Sequence, residues 1–526
     1  MKRFQAHLCF IAGLATVTAF YACGSSSNGN SGGPPQTEAG PDQTSSSSGS
    51  SSGGSEASTD GNEDAGPLEC GELPGTIVYV LADDTQESLL KVLGRQLRDD
   101  ADITLVFQLV PSCTLTATLL AGTPIAGNTS LFYIPSTKED PSWKPSDPES
   151  TCPGSPVHGP LPNLGISALS PTSCPGLGFP PAGIGVLTGP TQAYTFVVPT
   201  AEFTSQKSIS AAEAYYAFGD GANNPVTYNG APEWNDPTQF FLRPATASSL
   251  VASALDTGLT PAEMTFAAAD AGPADGRHLL AGSAAVVTAV KGATSMQAIG
   301  LLENPAFDAN RNQGVDALAF AALGQTYAFY PDSTATSLDK QNVRDGHYAN
   351  WSSTLYITQV DTSGVPTNAA VKYITDLVFG VPGAAPPNGY AEGGVPIDGL
   401  ADVASVGLVP NCAMQVQRTA EGQPLSPFAP TYPCTCYFLS KVQGAQLPAS
   451  CTTCKSPSDC DADGAIGCLY GYCETPPPQP TTGQPGCAVS DGTNAGILNA
   501  CTSAAYEQKT NLVVPESDGG LLPLNP

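Results

Sequence analysis

The chain has 526 residues, with 19 Lys and Arg against 47 Asp and Glu and a formal net charge of −28 at pH 7. That length exceeds what one small core needs and calls for more than one lobe or domain. The acidic balance, with no Lys/Arg cluster, excludes nucleic acid as a partner and excludes adhesion to an anionic membrane surface by charge.

The first residues read MKRFQAHLCFIAGLATVTAFYACGSSS. Lys2 and Arg3 form a basic start, and residues 8–20 are apolar but too short to span a bilayer well. Ala22-Cys23-Gly24 then places a small residue before a cysteine. This is similar to a bacterial lipoprotein signal, which implies that residues 1–22 are removed and Cys23 receives lipid. An ordinary secretory signal is the alternative. Residues 23–69 are rich in Ser, Gly, Asn and Pro and cannot build a core, so they read as a tether. Of 16 cysteines, Cys9 leaves with the signal and Cys23 takes lipid. The fourteen that remain are even in number, as an export-compartment disulfide framework requires, with pairing open.

Beyond the tether, strands and helices alternate. TIVYVL (76–81) is a continuous apolar run, as in a buried parallel strand. Residues 85–97 read as a helix with leucines on one face, and ITLVFQLV (103–110) as another buried strand. Residues 115–120 begin a helix, and 135–162 form a surface excursion carrying Cys152. Short strand-like pieces follow at 164–169 and 185–187, then YTFVV (194–198). Ser210-Ala-Ala-Glu213 and Thr260-Pro-Ala-Glu263 are capping boxes opening helices. Residues 284–290 suit helix or strand. Residues 298–302, 317–321, 327–330 and 355–360 are strand candidates, and 369–379 a helix. The alternation predicts α/β architecture with largely parallel sheets, whose ligands sit at strand ends near helix starts.

One such junction is FFLRPATASSLVASAL (240–255): a short strand, Arg243, a hydroxyl-rich turn, then a helix. Free N–H groups and the macrodipole at a helix start favour an anion, and Arg243 adds a fork of donors. On this stretch alone, capping by Thr246 or Ser248 with Arg243 at the surface is the commoner arrangement. Similarly, Asp84 or Thr85 reads as an ordinary N-cap.

Ten cysteines crowd the chain from Cys412 to Cys501. Cys451-x-x-Cys454 fits zinc spacing, but no histidine is nearby and the chain is exported, so disulfides are favoured. Asp459, Asp461 and Asp463 lack the closing glutamate of a calcium loop, position twelve being Tyr470. Residues 411–474 therefore read as a small disulfide-rich module, and 475–526 as a Pro-rich linker and tail.

The ordered series resembles the phosphate-type substrate-binding proteins of the type 2 periplasmic class over roughly 75–380. FQLVPSCTLTATLLAG (107–122) resembles the family's serine turn, and NLGISALSP (163–171) its Asp-x-Gly-x-Ser-Asp segment. TQAYTFVVP (191–199) and DGHYANWSSTLYI (345–357) resemble its two crossovers. FFLRPATASS (240–249) resembles its Arg-x-x-x-Ser-Gly-Thr anion loop. The resemblance implies a two-lobed α/β binding domain over 70–410, with lobe one at about 75–190 and 341–400 and lobe two at about 191–340. It implies ligand contacts at Ser112, Ser167, Arg243, Thr246, Ser248, Ser249, Asp84 and Thr85, a small anionic ligand, and an ABC permease partner reading hinge closure.

The departures bear on the ligand. Ala247-Ser248-Ser249 lacks the family glycine, Ala168 replaces the acid that accepts a hydrogen-phosphate proton, and the first turn is Ala82-Asp83-Asp84-Thr85. Two carboxylates facing a dianion in a low-dielectric cleft cost several kcal/mol. The expected ligand is thus an anion other than phosphate, or a small polar molecule. The alternative is a structural or interaction lipoprotein with a degenerate cleft. Catalysis is not expected, and no cofactor. His158, His278 and His347 sit in polar or Pro/Gly-rich contexts that read as solvated loops. There is no Gly-x-Ser-x-Gly, His-Glu-x-x-His or P-loop lysine, and Gly183-x-Gly185 lacks a third glycine. The expected location is the cell envelope, lipid-anchored.

Overall fold

In the computed structural model, residues 69–476 are described apart from 127–129, 155–158, 203–206, 221–233, 267–274, 326, 392 and 461–464. Cys23, His158, Asp461, Asp463, Cys487 and Cys501 lie outside the described residues.

The chain opens with β1 (Thr76–Ala82), α1 (Glu87–Asp100), β2 (Ile103–Leu109) and α2 (Ser112–Leu120). Two edge strands, β3 (Ser130–Tyr133) and β4 (Ser150–Pro153), and the short β5 (Leu164–Ser167) lead to β6 (Ile184–Pro199). Then come β7 (Ser208–Ser210), α3 (Ala211–Tyr215), β8 (Phe240–Leu242), α4 (Ser248–Thr257), α5 (Pro261–Thr265), β9 (His278–Leu279) and α6 (Ser283–Gly292). The chain continues through β10 (Ile299–Glu303), α7 (Asn304–Asn310), β11 (Val315–Ala317), β12 (Ala319–Ala321) and α8 (Gln341–Arg344). It returns along β13 (Trp351–Gln359) to α9 (Ala369–Phe379) and α10 (Gly399–Ser405). The final part holds β14 (Val416–Gln417), β15 (Ser426–Pro427), α11 (Thr435–Lys441), β16 (Gly467–Leu469) and β17 (Tyr472–Glu474).

The main sheet is two half-sheets of the same design sharing β6. In the first, β2, β1 and β5 run parallel, and β13 lies antiparallel between β5 and the first part of β6. In the second, β9, β8 and β10 run parallel, and the second part of β6 lies antiparallel between β10 and β11. In each half the antiparallel strand is the one arriving from the other half. This is the mixed α/β, two-crossover layout of the type 2 periplasmic-binding-protein fold.

Sequence periodicity explains most of these elements. In α1, Leu89, Leu90, Leu93 and Leu97 are buried on one face and pack with Val78, Val80, Ile103 and Phe107. Val371, Ile374 and Val378 of α9 close the same core. Both expected capping boxes form, at Ser210 with Glu213 and at Thr260 with Glu263.

Three expectations need correction. The pieces expected at 185–187 and 194–198 are one strand of 16 residues. Its interruption is a bulge: Thr191 faces Ser353 and Thr188 faces Leu355, so Gly189 and Pro190 together oppose Thr354. Pro190 has no N–H for the ladder, and the bulge absorbs it. The run 317–321 splits into β11 and β12, because Leu318 turns its N–H to Phe196 O at 2.9 Å. His347 is not solvated: it is 1% exposed, with Nδ1 2.6 Å from Asp345 Oδ1. The segment left open at 284–290 is helical, within α6.

Twelve cysteines form six disulfides: Cys70–Cys152, Cys113–Cys174, Cys412–Cys434, Cys436–Cys451, Cys454–Cys468 and Cys460–Cys473. Such a framework belongs to an oxidising, extracytoplasmic environment. The disulfide-rich part is joined to the α/β body. Phe438, Leu439 and Met414 share a core with Phe240, Leu250 and Trp351. Arg418 forms a two-pronged ion pair with Asp256 at the end of α4 and lies over the Trp351 ring at 4.4 Å. Glu474 of β17 accepts the N–H groups of Cys436 and Tyr437 at the start of α11. No helix among the described residues is long and apolar enough to cross a membrane.

Candidate functional site

The ends of β1 and β8 bring the two expected anion turns face to face. The turn after β1 carries Asp83, Asp84 and Thr85. The turn after β8 carries Arg243 and the start of α4. Between them, where the resemblance would put a ligand, lies the carboxylate of Asp83.

That carboxylate is fully buried and accepts five hydrogen bonds. Oδ1 takes the Thr85 N–H at 3.1 Å, the Thr85 hydroxyl at 2.7 Å and the Ser248 hydroxyl at 3.0 Å. Oδ2 takes the Ser112 N–H at 2.9 Å and the Ser112 hydroxyl at 2.6 Å. Ser112 is the first residue of α2 and Ser248 the first of α4, so two helix starts meet on one carboxylate. A buried carboxylate needs this many donors to offset its lost hydration. The Ser112 hydroxyl also accepts the Ala168 N–H at 2.9 Å, so the position without the family's acid buttresses the cage through its backbone.

The Asp83 contacts overturn two expectations about caps. Asp83, not Asp84 or Thr85, is the N-cap of the turn preceding α1. Ala247 is the N-cap of α4 and offers no side-chain bond, while Ser248 spends its hydroxyl on Asp83.

Arg243 is 2% exposed, not a surface charge. Its guanidinium donates to Asp84 Oδ2 at 2.7 Å, to the Ser283 hydroxyl at 2.9 Å and to the Ala281 carbonyl at 3.0 Å. The Ser283 hydroxyl in turn donates to Glu303 at 2.7 Å. One arginine therefore serves two acids, Asp84 directly and Glu303 through Ser283. Burial, with repulsion from Asp83, pushes the Asp84 carboxyl up to about 7 against the pull of Arg243. Burial also raises Glu303, again against Arg243.

The other predicted residues disperse. Ser167 is buried but turns away from Asp83, donating to the Leu169 carbonyl at 2.9 Å and accepting the Thr116 hydroxyl of α2 at 3.4 Å. Ser249 is buried with no partner for its hydroxyl among the described residues. Thr246 is exposed. Sequence reading did not single out Gln86, Gln192, Ser283 or Glu303. Gln86 donates to Gln192 of β6 at 2.7 Å, which links the first turn to the shared strand. No local spacing signals these residues, since their partners lie 20 to 106 positions away.

The arrangement determines what the cleft can accept. Its donors already hold a carboxylate, and its one arginine is paired, so a dianion would meet spent donors and surplus negative charge. Among the described residues, the metal-capable group is Cys454, Cys460 and Cys473, whose sulfurs are in disulfides.

No family model matches the sequence, and no curated protein matches it. Solved structures do. A candidate phosphate ABC transporter substrate-binding protein from Clostridium perfringens, solved with bound phosphate, is 11% identical with a TM-score of 0.39, covering 64% of this chain and 99% of its own. An ABC-type phosphate transport receptor from Vibrio cholerae is 12% identical with a TM-score of 0.33, covering 54% and 88%. The reduced regulatory domain of OxyR from Pseudomonas aeruginosa is 9% identical with a TM-score of 0.29, covering 55% and 90%. At these scores the similarities carry no functional conclusion, and the strand order is the ground for the fold.

Proposed function

We propose that this is a cell-envelope lipoprotein that keeps the two-lobed binding scaffold closed on its own carboxylate. It then serves as a structural or interaction protein, not as a solute carrier. The observation behind this reading is the Asp83 carboxylate bonded to Ser112 of the first half and Ser248 of the second. A tethered carboxylate acts at an effective concentration that free acids at millimolar level do not match. A permease would have no ligand-dependent change to read.

Thermal-shift and calorimetric titration of the wild type with phosphate, sulfate, molybdate and small carboxylates is the test. No response at millimolar ligand is expected, and saturable binding of any of them would overturn the closed reading. The anchor rests on Cys23 and the tether that follows; palmitate labelling abolished by Cys23→Ser would support it. The domain limits at 23–69, 70–410 and 411–474 belong to the same proposal.

Solute binding, the second reading, is favoured by buried polar atoms without partners among the described residues at Gln86 Oε1, Gln192 Nε2, Asn304 Nδ2 and Arg243 Nε. A ligand satisfying them would be neutral and polar, and the same titration extended to sugars and amides would detect it.

A further inference from the structure

The five donors around Asp83 are neutral: two backbone N–H groups and three hydroxyls. They divide three to one oxygen and two to the other. Arg243 is bonded to Asp84 instead. The cage is therefore built for a planar, singly charged group with two oxygens. A tetrahedral oxyanion would present further oxygens without donors, at a site already bearing Asp84 and Glu303.

Resting on the reading that Asp83 closes the cleft, we infer that the cage is a carboxylate-binding site occupied in cis. Freed of Asp83, it takes a small monocarboxylate and rejects phosphate and sulfate. Its specificity comes from the helix starts at Ser112 and Ser248 and the turn at Thr85, which stay in place when the Asp83 side chain is removed. Asp83→Ala deletes a carboxylate whose place formate fills. Asp83→Gly deletes one more carbon, whose place acetate fills.

The experiment is rescue of stability in the full exported chain. Asp83→Ala is expected to melt below the wild type, because donors are left buried without an acceptor. Formate is expected to raise its melting temperature saturably, as binding to the native state alone requires. Acetate should do the same for Asp83→Gly. The wild type and Asp83→Asn should not respond to formate, and phosphate and sulfate should stabilise none of the four proteins. Adding Ser248→Ala to Asp83→Ala should weaken the formate response several-fold.

A formate response equal in wild type, Asp83→Asn and Asp83→Ala would overturn the inference, since it would lie outside the cage. So would a folded Asp83→Ala that ignores formate, or one that stays unfolded when refolded in about 100 mM formate, well above ordinary weak-site affinities. A formate response in the wild type would overturn the closed reading as well, whereas the two Asp83→Ala outcomes leave the wild-type titration untouched and fail the cage alone, so the two failures are told apart.

Discussion

Ser248 donates its hydroxyl hydrogen to Asp83 at 3.0 Å across the seam between the two half-sheets, 165 positions apart in the chain. Asp83 is 0% exposed and Ser248 1%. The bond therefore joins the halves where water cannot replace it. Ser248→Ala should lower unfolding free energy by about 1–3 kcal/mol, the range for a buried bond to a charged acceptor. Urea unfolding at neutral pH measures it. A loss below the error of the method would mean that the donors of Thr85 and Ser112 suffice to hold the carboxylate.

Arg243→Ala should be more damaging. It leaves Asp84 and Glu303 without their shared cation, and removing one member of a buried pair is costlier than never having had the pair. The Asp84 side chain retains 28% exposure, so the expected loss is about 2–4 kcal/mol, below the full cost for an entirely buried pair. Asp84→Asn in the same background should recover part of the loss. Additive losses in the double-mutant cycle would show that the two residues do not interact energetically.

Acidification should stabilise the protein before it destabilises it. Asp84 is pushed up to about 7 by burial and by Asp83, and Asp256 up to about 6 by burial despite Arg418. Asp402 and Glu474 also rise to about 6, through burial. Between their ordinary values near 4 and these raised values, the folded chain holds protons that the unfolded chain has released. Stability from these groups therefore grows as pH falls from about 7 toward 4 and is fully present below the unfolded values. The melting temperature should be higher at pH 5 than at pH 7.5. Asp84→Asn should flatten the upper part of that slope, and an unchanged slope would contradict the assignment to Asp84.

Arg418→Ala should loosen the disulfide-rich part without breaking any disulfide. Its side chain is 4% exposed, pairs with a 6% exposed Asp256 and covers Trp351. The variant strands a buried carboxylate, an expected cost of about 3–5 kcal/mol. Limited proteolysis should then cut within 418–425 faster than in the wild type, with a shift in tryptophan emission. Cleavage elsewhere first would show that this segment is held by other contacts.

The sequence made the strand–helix alternation, both capping boxes, and the apolar faces of α1 and α9 legible, because each is a local pattern. It also identified Arg243, Ser112 and Ser248 as residues near one centre. It did not reveal what occupies that centre. Asp83 reads from the sequence as a carboxylate that would face the ligand, not as the group that takes its place, since its decisive partners Ser112 and Ser248 are 29 and 165 positions away. The shared strand was misread for a similar reason. Gly189-Pro190 is local evidence for a break, and the ladder of β13 that spans it is remote.

The single run of β6 bears on how this molecule meets force. A swinging joint needs backbone that can rotate without breaking ladder bonds. Here the connecting strand is hydrogen-bonded along β13 on both sides of the bulge, over 184–193, and along β10 and β11 over 194–199. It acts as a keel: bending the halves apart means shearing several bonds in parallel. Such stiffness keeps any surface the two halves present in a fixed relative orientation under load. Orientation, not motion, is then the property that the fold preserves.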